Sequence, residues 1–325
     1  MRKNPLPALA FFALAAPAAL AGQQMQGQQM QGQQMQGTSL SGSATPPVAS
    51  DVPLLHSYSG WIIGNRFASV SITQGRLEAP LRNGRVLSGA DLVGAYAPAE
   101  ISGTRVWTQI RSVQADSTFP QGDTLLYSID ILNSDGSTRP LCTPDLNGVS
   151  AAIPVAAVFD QTGARVESAT QFIFGCTSGV IAKCYRWGYR PWLSGAAPSQ
   201  EFAQLHLACT RMARADYCGN GQSWTRNGTL INMWDRAPSP GPFQDIGSPT
   251  PDFLFEAGWS PHGAVCMSKQ RWATLPPSFA AVCPDRLIAP GATTSAGTVC
   301  NTEAEALQFD TTTQLFNESK LNVQP

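Results

Sequence analysis

The run Arg211-Met212-Ala213-Arg214-Ala215-Asp216-Tyr217-Cys218-Gly219 joins the most helical stretch of the chain to a cysteine. Before it, four apolar residues spaced i, i+3, i+7 and i+10 form one stripe of a helix: Phe202, Leu205, Cys209 and Met212. Ser199 has a side chain suited to an N-cap, and Gly219 supplies a stop signal. The sequence therefore predicts a helix over about residues 200–215, followed by a turn.

Asp216 falls in the last turn of this predicted helix. The helix macrodipole disfavours an anion there by about 0.3–1 kcal/mol. Arg211 and Arg214 are the nearest cations along the chain, so a structural ion pair is the favoured role for Asp216. The alternative role is that of a general acid or base whose pKa is perturbed by its surroundings.

The eight cysteines are even in number and all follow residue 141: Cys142, Cys176, Cys184, Cys209, Cys218, Cys266, Cys283 and Cys300. In an exported chain this pattern indicates disulfides, although it leaves the pairing open. A helix running through both Cys209 and Cys218 would separate them by about 13 Å, beyond disulfide reach, so we expect each to pair elsewhere. The closest spacing, Cys176 to Cys184, does not favour zinc, and we predict no metal site.

The amino-acid composition limits the class of protein but does not indicate a reaction or a ligand. Of 325 residues, 43% are hydrophobic and only 13% are charged, against about 25% charged in typical soluble domains. This composition excludes a charge-driven disordered chain, a coiled coil and collagen. The net charge is −1, and loss of residues 1–21, which carry Arg2, Lys3 and no acid, leaves −3. A nucleic acid partner is therefore not expected.

The N-terminal residues have the pattern of a secretory signal. Residues 1–21 contain a basic start, an apolar stretch from Leu6 to Leu20 and a small-residue cleavage site. The apolar stretch is shorter than the roughly 20 residues that a spanning helix needs. We therefore predict a secreted protein, periplasmic or extracellular, with no membrane span after cleavage. Residues 22–52, with three copies of Gln-Gln-Met-Gln-Gly, are interpreted as a Pro-containing spacer.

The rest of the chain is predicted to be mainly antiparallel β. Branched and aromatic residues are concentrated in Thr104 to Val113 and Leu125 to Leu132. The pair Asn227-Gly228 predicts a hairpin between Gln222 to Arg226 and Thr229 to Trp234. The predicted fold is α+β, mostly antiparallel β with one principal helix, and stapled by disulfides. Its parts are a β-rich region (53–140), a Cys/Trp-rich domain (141–289) and a polar C-terminal tail (290–325).

Several motifs in order carry a resemblance to a known family. Besides the Ala-Asp-Tyr-Cys run, they are Gly175-Cys176-Thr177, the stretch from Lys183 to Trp192, Ala208-Cys209-Thr210, and Phe255-Glu256-Ala257-Gly258-Trp259. With these motifs the chain resembles the ADYC-domain family of exported bacterial proteins over roughly residues 140–285. The resemblance implies secretion and a disulfide-stabilised fold. The family is a domain of unknown function, so the resemblance assigns no reaction, cofactor or catalytic residue.

Three titratable residues are candidates for catalysis: Asp216, Glu256 and His262. His262 lies on a predicted turn, whereas His206 flanks the apolar stripe of the helix and is interpreted as a packed residue. The nucleophile motif Gly-x-Ser-x-Gly and the metalloprotease motif His-Glu-x-x-His are both absent from the sequence. No enzyme class and no cofactor can be assigned on these residues.

Arginines and tryptophans are the candidates for binding. Arg186, Arg211 and Arg214 belong to a basic stretch that would hold an anionic small ligand if folding brought the side chains together. Trp224 and Trp234 point to opposite faces of the predicted hairpin, so at least one is expected to be accessible, as sugar stacking requires. The alternatives are scattered surface arginines and tryptophans buried in the core.

Two functions follow from these observations. The favoured one is a non-catalytic exported module, structural or binding, whose partner is a glycan, an anionic small ligand or a protein. The alternative is a secreted hydrolase of extracellular polymers that uses Asp216 or Glu256 as acid or base with His262 nearby. The hydrolase hypothesis requires two of these groups in one concave site. The module hypothesis predicts that Asp216 forms an ion pair with an arginine.

Overall fold

The structure is a computed structural model. It describes residues 33–35, 54–56, 60–62, 65–67, 69–101, 104–117, 124–160, 162–168, 171–192, 200–236, 252–288, 291–293, 295, 297, 299–313 and 315–320. The predicted signal and the Ser199 N-cap lie outside these residues.

The described residues form strands and short helices. In chain order, the strands are β1 (Gln33–Met35), β2 (Leu54–His56), β3 (Gly60–Ile62), β4 (Asn65–Phe67), β5 (Ser71–Thr73), β6 (Arg76–Pro80), β7 (Val86–Ser88), β8 (Tyr96–Ile101), β9 (Thr104–Ala115), β10 (Leu125–Leu132), β11 (Thr138–Pro140), β12 (Ala152–Val155), β13 (Val158–Phe159), β14 (Arg165–Val166), β15 (Gln171–Cys176), β16 (Thr229–Asp235), β17 (Phe253–Ser260), β18 (Gly263–Met267) and β19 (Leu315–Lys320). The helices are α1 (Val180–Arg186), α2 (Gln200–Arg214), α3 (Phe279–Val282) and α4 (Glu303–Phe309). The α+β class, mostly antiparallel β with α2 as the longest helix, is confirmed.

Six antiparallel strands close into a barrel. Each strand pairs with the next in the ring β8, β9, β10, β12, β15 and β2, and β2 returns to β8. Strands β9 and β10 are offset by a register shift at Ser128/Ile129. Beyond it, alternation turns Ile110, Ile129 and Ile131 into the barrel, where they are almost fully buried. Strands β12 and β15 lie beyond residue 140, so the barrel continues across the predicted boundary between the two regions.

One side of the barrel packs on the helices and on a second sheet. The side chains of Leu126, Ile153 and Ile173 point outwards from the barrel. They pack in one buried core with the apolar stripe of α2. All four stripe residues predicted from the sequence are buried. The same core includes Trp259 from β17, so the β-rich and Cys-rich regions share buried contacts. No helix among the described residues is long and apolar enough to cross a membrane.

The second sheet has the order β1-β16-β19-β17-β18, with antiparallel neighbours throughout. Its central strand, β19, belongs to the region predicted as a polar tail. Asn317, Glu318 and Ser319 are nevertheless buried, because their side chains find polar partners on β16 and β17. For these described residues the prediction of a tail does not hold, since burial here follows from hydrogen bonding and not from apolar composition.

The predicted hairpin at Asn227-Gly228 is wrong in one arm. Gly228 does take the left-handed conformation, with φ of 87°, and β16 begins directly after it. Residues 222–226, however, form no strand, because Thr225 and Trp224 are buried against the end of α2. Strand β16 pairs with β19 instead.

Four disulfides join all eight cysteines: Cys142–Cys176, Cys184–Cys209, Cys218–Cys283 and Cys266–Cys300. Cys184–Cys209 ties α1 to α2, and Cys218–Cys283 ties the end of the Ala-Asp-Tyr-Cys run to α3. As expected, Cys209 and Cys218 have different partners, although α2 ends at Arg214 and does not run through Cys218. The disulfide-stabilised fold predicted from the cysteine count is confirmed.

Thiol titration checks this pairing. The denatured but unreduced protein is expected to give no reaction with a thiol reagent, and eight thiols after reduction, because every cysteine is bonded. Four or more reactive thiols before reduction would contradict a fold held by these four disulfides.

Candidate functional site

The Ala-Asp-Tyr-Cys run begins where helix α2 ends. The amide of Ala215 donates to the carbonyl of Met212 (3.0 Å), and the amide of Asp216 donates to that of Arg211 (2.9 Å). This pair of bonds is the Schellman pattern, in which the residue after the helix takes the left-handed conformation. Ala215 has φ of 52° and is fully buried. Asp216 therefore lies two residues beyond the helix, not in its last turn as predicted.

Asp216 is a buried, fully occupied acceptor. Its Oδ2 lies 2.6 Å from Nη1 of Arg211, and it also accepts from the amides of Asn220 (3.1 Å) and Gly221 (3.0 Å). Arg211 in turn donates to the carbonyls of Thr162 and Pro261. The pair holds the helix end, the loop after it and two distant turns together, as the structural interpretation of Asp216 predicts.

Gly219 allows the loop to approach the β17–β18 turn. Its φ is +66°, and a Cβ added there would lie 1.8 Å from the carbonyl oxygen of His262. The amide of Ala264 donates to the carbonyl of Tyr217 across the same contact (3.0 Å). The His262 side chain itself is exposed. The structure thus brings the backbone of His262 to the loop, while its ring has no described hydrogen bond to Asp216 or Glu256.

Tyr217, the third residue of the run, belongs to a buried polar network with Glu256 and Arg271. Arg271 contacts the carboxylate of Glu256 through Nε (3.0 Å) and Nη2 (2.9 Å). The Tyr217 hydroxyl donates to Oε1 of Glu256 (3.2 Å) and accepts from the amide of Arg271 (2.7 Å). All three residues have no exposed surface.

The network also caps helix α2. Arg271 donates to the carbonyls of Met212 (2.7 Å) and Ala213 (3.1 Å), which have no partner within the helix. Ser319 of β19 donates to Oε2 of Glu256 (2.6 Å). The carboxylate therefore joins the helix, β17 and β19, and a lone arginine in the sequence gave no signal of this role.

Burial and charge act in opposite directions on Glu256. Burial alone would raise the pKa of its carboxyl, but Arg271, Lys269 and Ser319 stabilise the anion and lower the pKa below its usual value. Burial and the Glu256 charge raise the pKa of Tyr217 well above its ordinary value. Glu256 is thus held as a carboxylate and Tyr217 as a neutral phenol, the protonation states that their hydrogen bonds require.

The candidate arginines do not form one open patch. Arg211 and Arg214 come together beside Gly163, where Arg211 is engaged by Asp216 and Arg214 donates to the carbonyl of Gly221. Arg186 points towards the barrel and binds Asp116 (2.8 Å) and Asp145 (3.3 Å). Beside this second cluster, burial lowers the pKa of Lys183 to about 7.

The candidate tryptophans are packed against protein. Trp224 is 8% exposed. Trp234 is half-buried, stacks on Phe316 at 5.9 Å between ring centroids and donates its Nε1–H to Glu303 (2.8 Å). Trp234 lies on β16 and Trp224 precedes it. Both tryptophans therefore pack as core residues and do not form a platform for stacking sugars.

A different pair of aromatic side chains is exposed on the barrel. Trp107 of β9 is 47% exposed and Tyr96 of β8 is 37% exposed. Sequence reasoning passed over them because they precede the Cys/Trp-rich region. The signal was present in the alternation of β9: Thr108 and Ile110 are buried, so Trp107, which neighbours Thr108 along the strand, must face outwards.

The family comparison covers the residues of this site. The ADYC domain matches residues 89–273, more than half of the chain. The chain belongs to the ADYC-domain family. The matched ADYC domain includes the exposed aromatic pair, the barrel strands β8 to β15, helix α2 and the Tyr217 network. No curated protein and no solved structure matches the chain.

His206 is another buried titratable group of the ADYC domain. Its Nε2 donates to the carbonyl of Ile181 (3.0 Å), and its ring lies 4.1 Å from the ring centroid of Tyr185. Burial and the nearby charge of Arg165 lower the pKa of His206 to about 3. The imidazole is therefore neutral and packs between the two helices, as expected from its place beside the apolar stripe.

This burial predicts an acid sensitivity. The unfolded chain binds a proton at His206 below about pH 6.5, whereas the folded protein does not until about pH 3. The free energy of unfolding should therefore be highest above pH 6.5 and fall by about 1 kcal/mol per pH unit between pH 6 and pH 4.5. Urea unfolding at several pH values measures this slope. His206→Gln should flatten it, and exposed His262→Gln should not; equal slopes in the wild type and His206→Gln would contradict the assignment.

Proposed function

We propose that this protein is an exported, disulfide-stabilised binding module that contacts its ligand with the outer face of the barrel. The observation that supports this proposal is the exposure of Trp107 and Tyr96 on neighbouring strands of a closed barrel. A soluble domain of low charge gains stability by burying such side chains, so their exposure together points to contact with something else. The Ala-Asp-Tyr-Cys run has a structural role in this proposal.

The hydrolase alternative receives less support. A general acid or base must lie within hydrogen-bond reach of the substrate, yet Asp216 and Glu256 have no exposed surface and are each paired with an arginine. The lowered pKa of Glu256 is opposite to the raised pKa that a carboxyl acting as general acid needs near neutral pH.

The proposal includes the compartment and the organisation of the chain. Four disulfides persist in oxidising compartments and are rare in the cytosol, which supports export with removal of residues 1–21. Within the predicted spacer (22–52), Gln33–Met35 form β1 and pair with β16 of the second sheet. We therefore propose a spacer role only for the residues that precede β1.

Co-sedimentation tests the proposed function. The mature, disulfide-bonded chain is mixed with washed insoluble envelope and extracellular polymer from the source organism, and the bound fraction is measured. The wild type is expected to sediment with this material and Trp107→Ala to stay mainly in solution. Leu254→Ala, which removes an apolar residue 54% exposed on the second sheet, is the matched control and should sediment like the wild type. Equal sedimentation of the wild type and Trp107→Ala, or none by either, would refute a binding role for the barrel face.

A further inference from the structure

Among the residues whose side chains the structure describes, the strand register places five around one spot on the outside of the barrel. Trp107 pairs with Pro98 on β8 and with Leu132 on β10, and Tyr96 pairs with Gln109. Because directly paired residues lie on the same face of a sheet, these side chains share the outer surface. We call the set Tyr96, Pro98, Trp107, Gln109 and Leu132 the aromatic face. Tyr96 and Trp107 are diagonal neighbours, a position in which Cα atoms are about 7–8 Å apart.

Both aromatic rings on this face are available to a ligand. Both strands alternate around these residues, with Ala97 and Thr108 buried on the opposite face, so neither ring belongs to the barrel core. Among the residues that the structure describes, neither ring has an aromatic or cation–π partner. The tryptophans of the second sheet, by contrast, are packed on rings or covered by neighbouring side chains.

The charges around the aromatic face balance. On one side Glu100 of β8 and Arg105 of β9 lie directly opposite each other in the strand register. On the other side Arg111 and Asp130 form a salt bridge of 3.3 Å. Among the side chains that the structure describes around this face, the two positive and two negative groups carry no net charge that would attract a polyanion or an anionic membrane. They do offer hydrogen-bond donors and acceptors at the edges of the two rings.

The exposed area of the two rings favours a glycan over a protein as the partner. The exposed fractions of Trp107 and Tyr96 leave on the order of 200 Å² of aromatic surface. A stable protein interface needs about 800 Å² per partner, about four times this aromatic surface. A sugar ring needs little more than one aromatic side chain. Its faces carry C–H groups that stack on the ring, and its rim carries hydroxyl groups that bond to Gln109 and the charged pairs.

We infer that the aromatic face binds an uncharged polysaccharide, with successive sugar rings stacked on Trp107 and Tyr96. This inference rests on the proposed function as a binding module and adds the chemical class of its ligand. Gln109 lies opposite Tyr96 and two residues from Trp107. Its amide oxygen already accepts from Nη1 of Arg111 (3.0 Å), so its NH₂ group is the part that donates to the sugar hydroxyls. With two exposed rings, the affinity arises from several weak contacts along one polymer chain.

Affinity electrophoresis tests the inference with defined polymers. Native gels contain one of three soluble neutral polysaccharides, a mixed-linkage β-glucan, a galactomannan or a dextran, or the acidic polymer polygalacturonate. The disulfide-bonded wild type is expected to be retarded by at least one neutral polymer and not by polygalacturonate. Trp107→Ala should weaken that binding at least tenfold, Tyr96→Ala severalfold, and Leu254→Ala not at all. Thermal melting checks that all variants remain folded, as exposed substitutions should.

The outcomes separate the ligand class from the function. If Trp107-dependent sedimentation with native polymer holds but no neutral polysaccharide retards the protein, the ligand class is wrong and the binding module stands. Retardation chiefly by polygalacturonate, abolished by added salt, would also overturn the ligand class. If Trp107→Ala binds every polymer as the wild type does, both the ligand class and the barrel face as the binding surface are overturned.

Discussion

Glu256→Gln is expected to lower the free energy of unfolding by about 3–5 kcal/mol. The substitution leaves the guanidinium of Arg271 fully buried without its counter-charge. Water cannot solvate the unpaired guanidinium, because neither side chain is exposed to solvent. Urea unfolding of the mature, disulfide-bonded chain measures the loss.

A double-mutant cycle identifies the source of this loss. Arg271→Met alone should cost a similar amount, since it leaves a buried carboxylate and removes the donors to the carbonyls of Met212 and Ala213. The double variant should lose less than the sum of the two, because the second change removes the charge that the first left unpaired. Asp91→Asn is the control: Asp91 and its partner Arg85 are 49% and 62% exposed, so it should cost less than about 1 kcal/mol. Additive losses would show that the two groups do not act as a pair.

Asp216→Asn should also cost several kcal/mol, about 3 by the same comparison with buried ion pairs. The neutral amide no longer balances Arg211, and its NH₂ group faces the amides of Asn220 or Gly221, which are themselves donors. The loop after α2 packs directly against the β17–β18 turn at Gly219. We therefore expect the loss of the ion pair to destabilise both the loop and the turn. Thermal melting and the yield of exported protein report the change.

The matched control for Asp216→Asn is Asp91→Asn. Asp91 forms a salt bridge of 3.2 Å with Arg85, but both side chains are largely exposed, so the expected cost is below about 1 kcal/mol. An Asp216→Asn variant that is exported and melts like the wild type would remove the structural role. Loss of a catalytic activity with unchanged melting would favour the hydrolase instead.

Local patterns in the sequence were sufficient for the elements that depend on neighbours along the chain. The stripe from Phe202 to Met212 predicted α2, and the branched residues of Thr104 to Val113 and Leu125 to Leu132 predicted β9 and β10. The rise of a helix through Cys209 and Cys218 predicted different partners for them; the partners do differ, although α2 ends at Arg214. The short helices α1 and α4 were not predicted, since seven residues carry too little periodicity to be recognised.

The site depended on contacts that no local pattern records. Asp216 and Glu256 were predicted as candidates from their place in the motif region, but their burial and separate arginine partners required the folded chain. The contacts of Tyr217 with Glu256 and Arg271, for example, join residues 39 and 54 positions apart. The same limit explains β19. Its polar composition indicated a tail, whereas the partners that allow Asn317 and Ser319 to be buried lie on another strand.

By itself, the sequence determined the fold class, the disulfide-bonded character and the family, because these follow from residue spacing and from a contiguous motif. Only the tertiary structure decided which aromatic side chains remain exposed. Trp224 and Trp107 are equally hydrophobic, yet one is buried beside the end of α2 and the other faces outwards from the barrel. Exposure is set by what packs on each face of an element, and that depends on strands and helices brought together from distant parts of the chain.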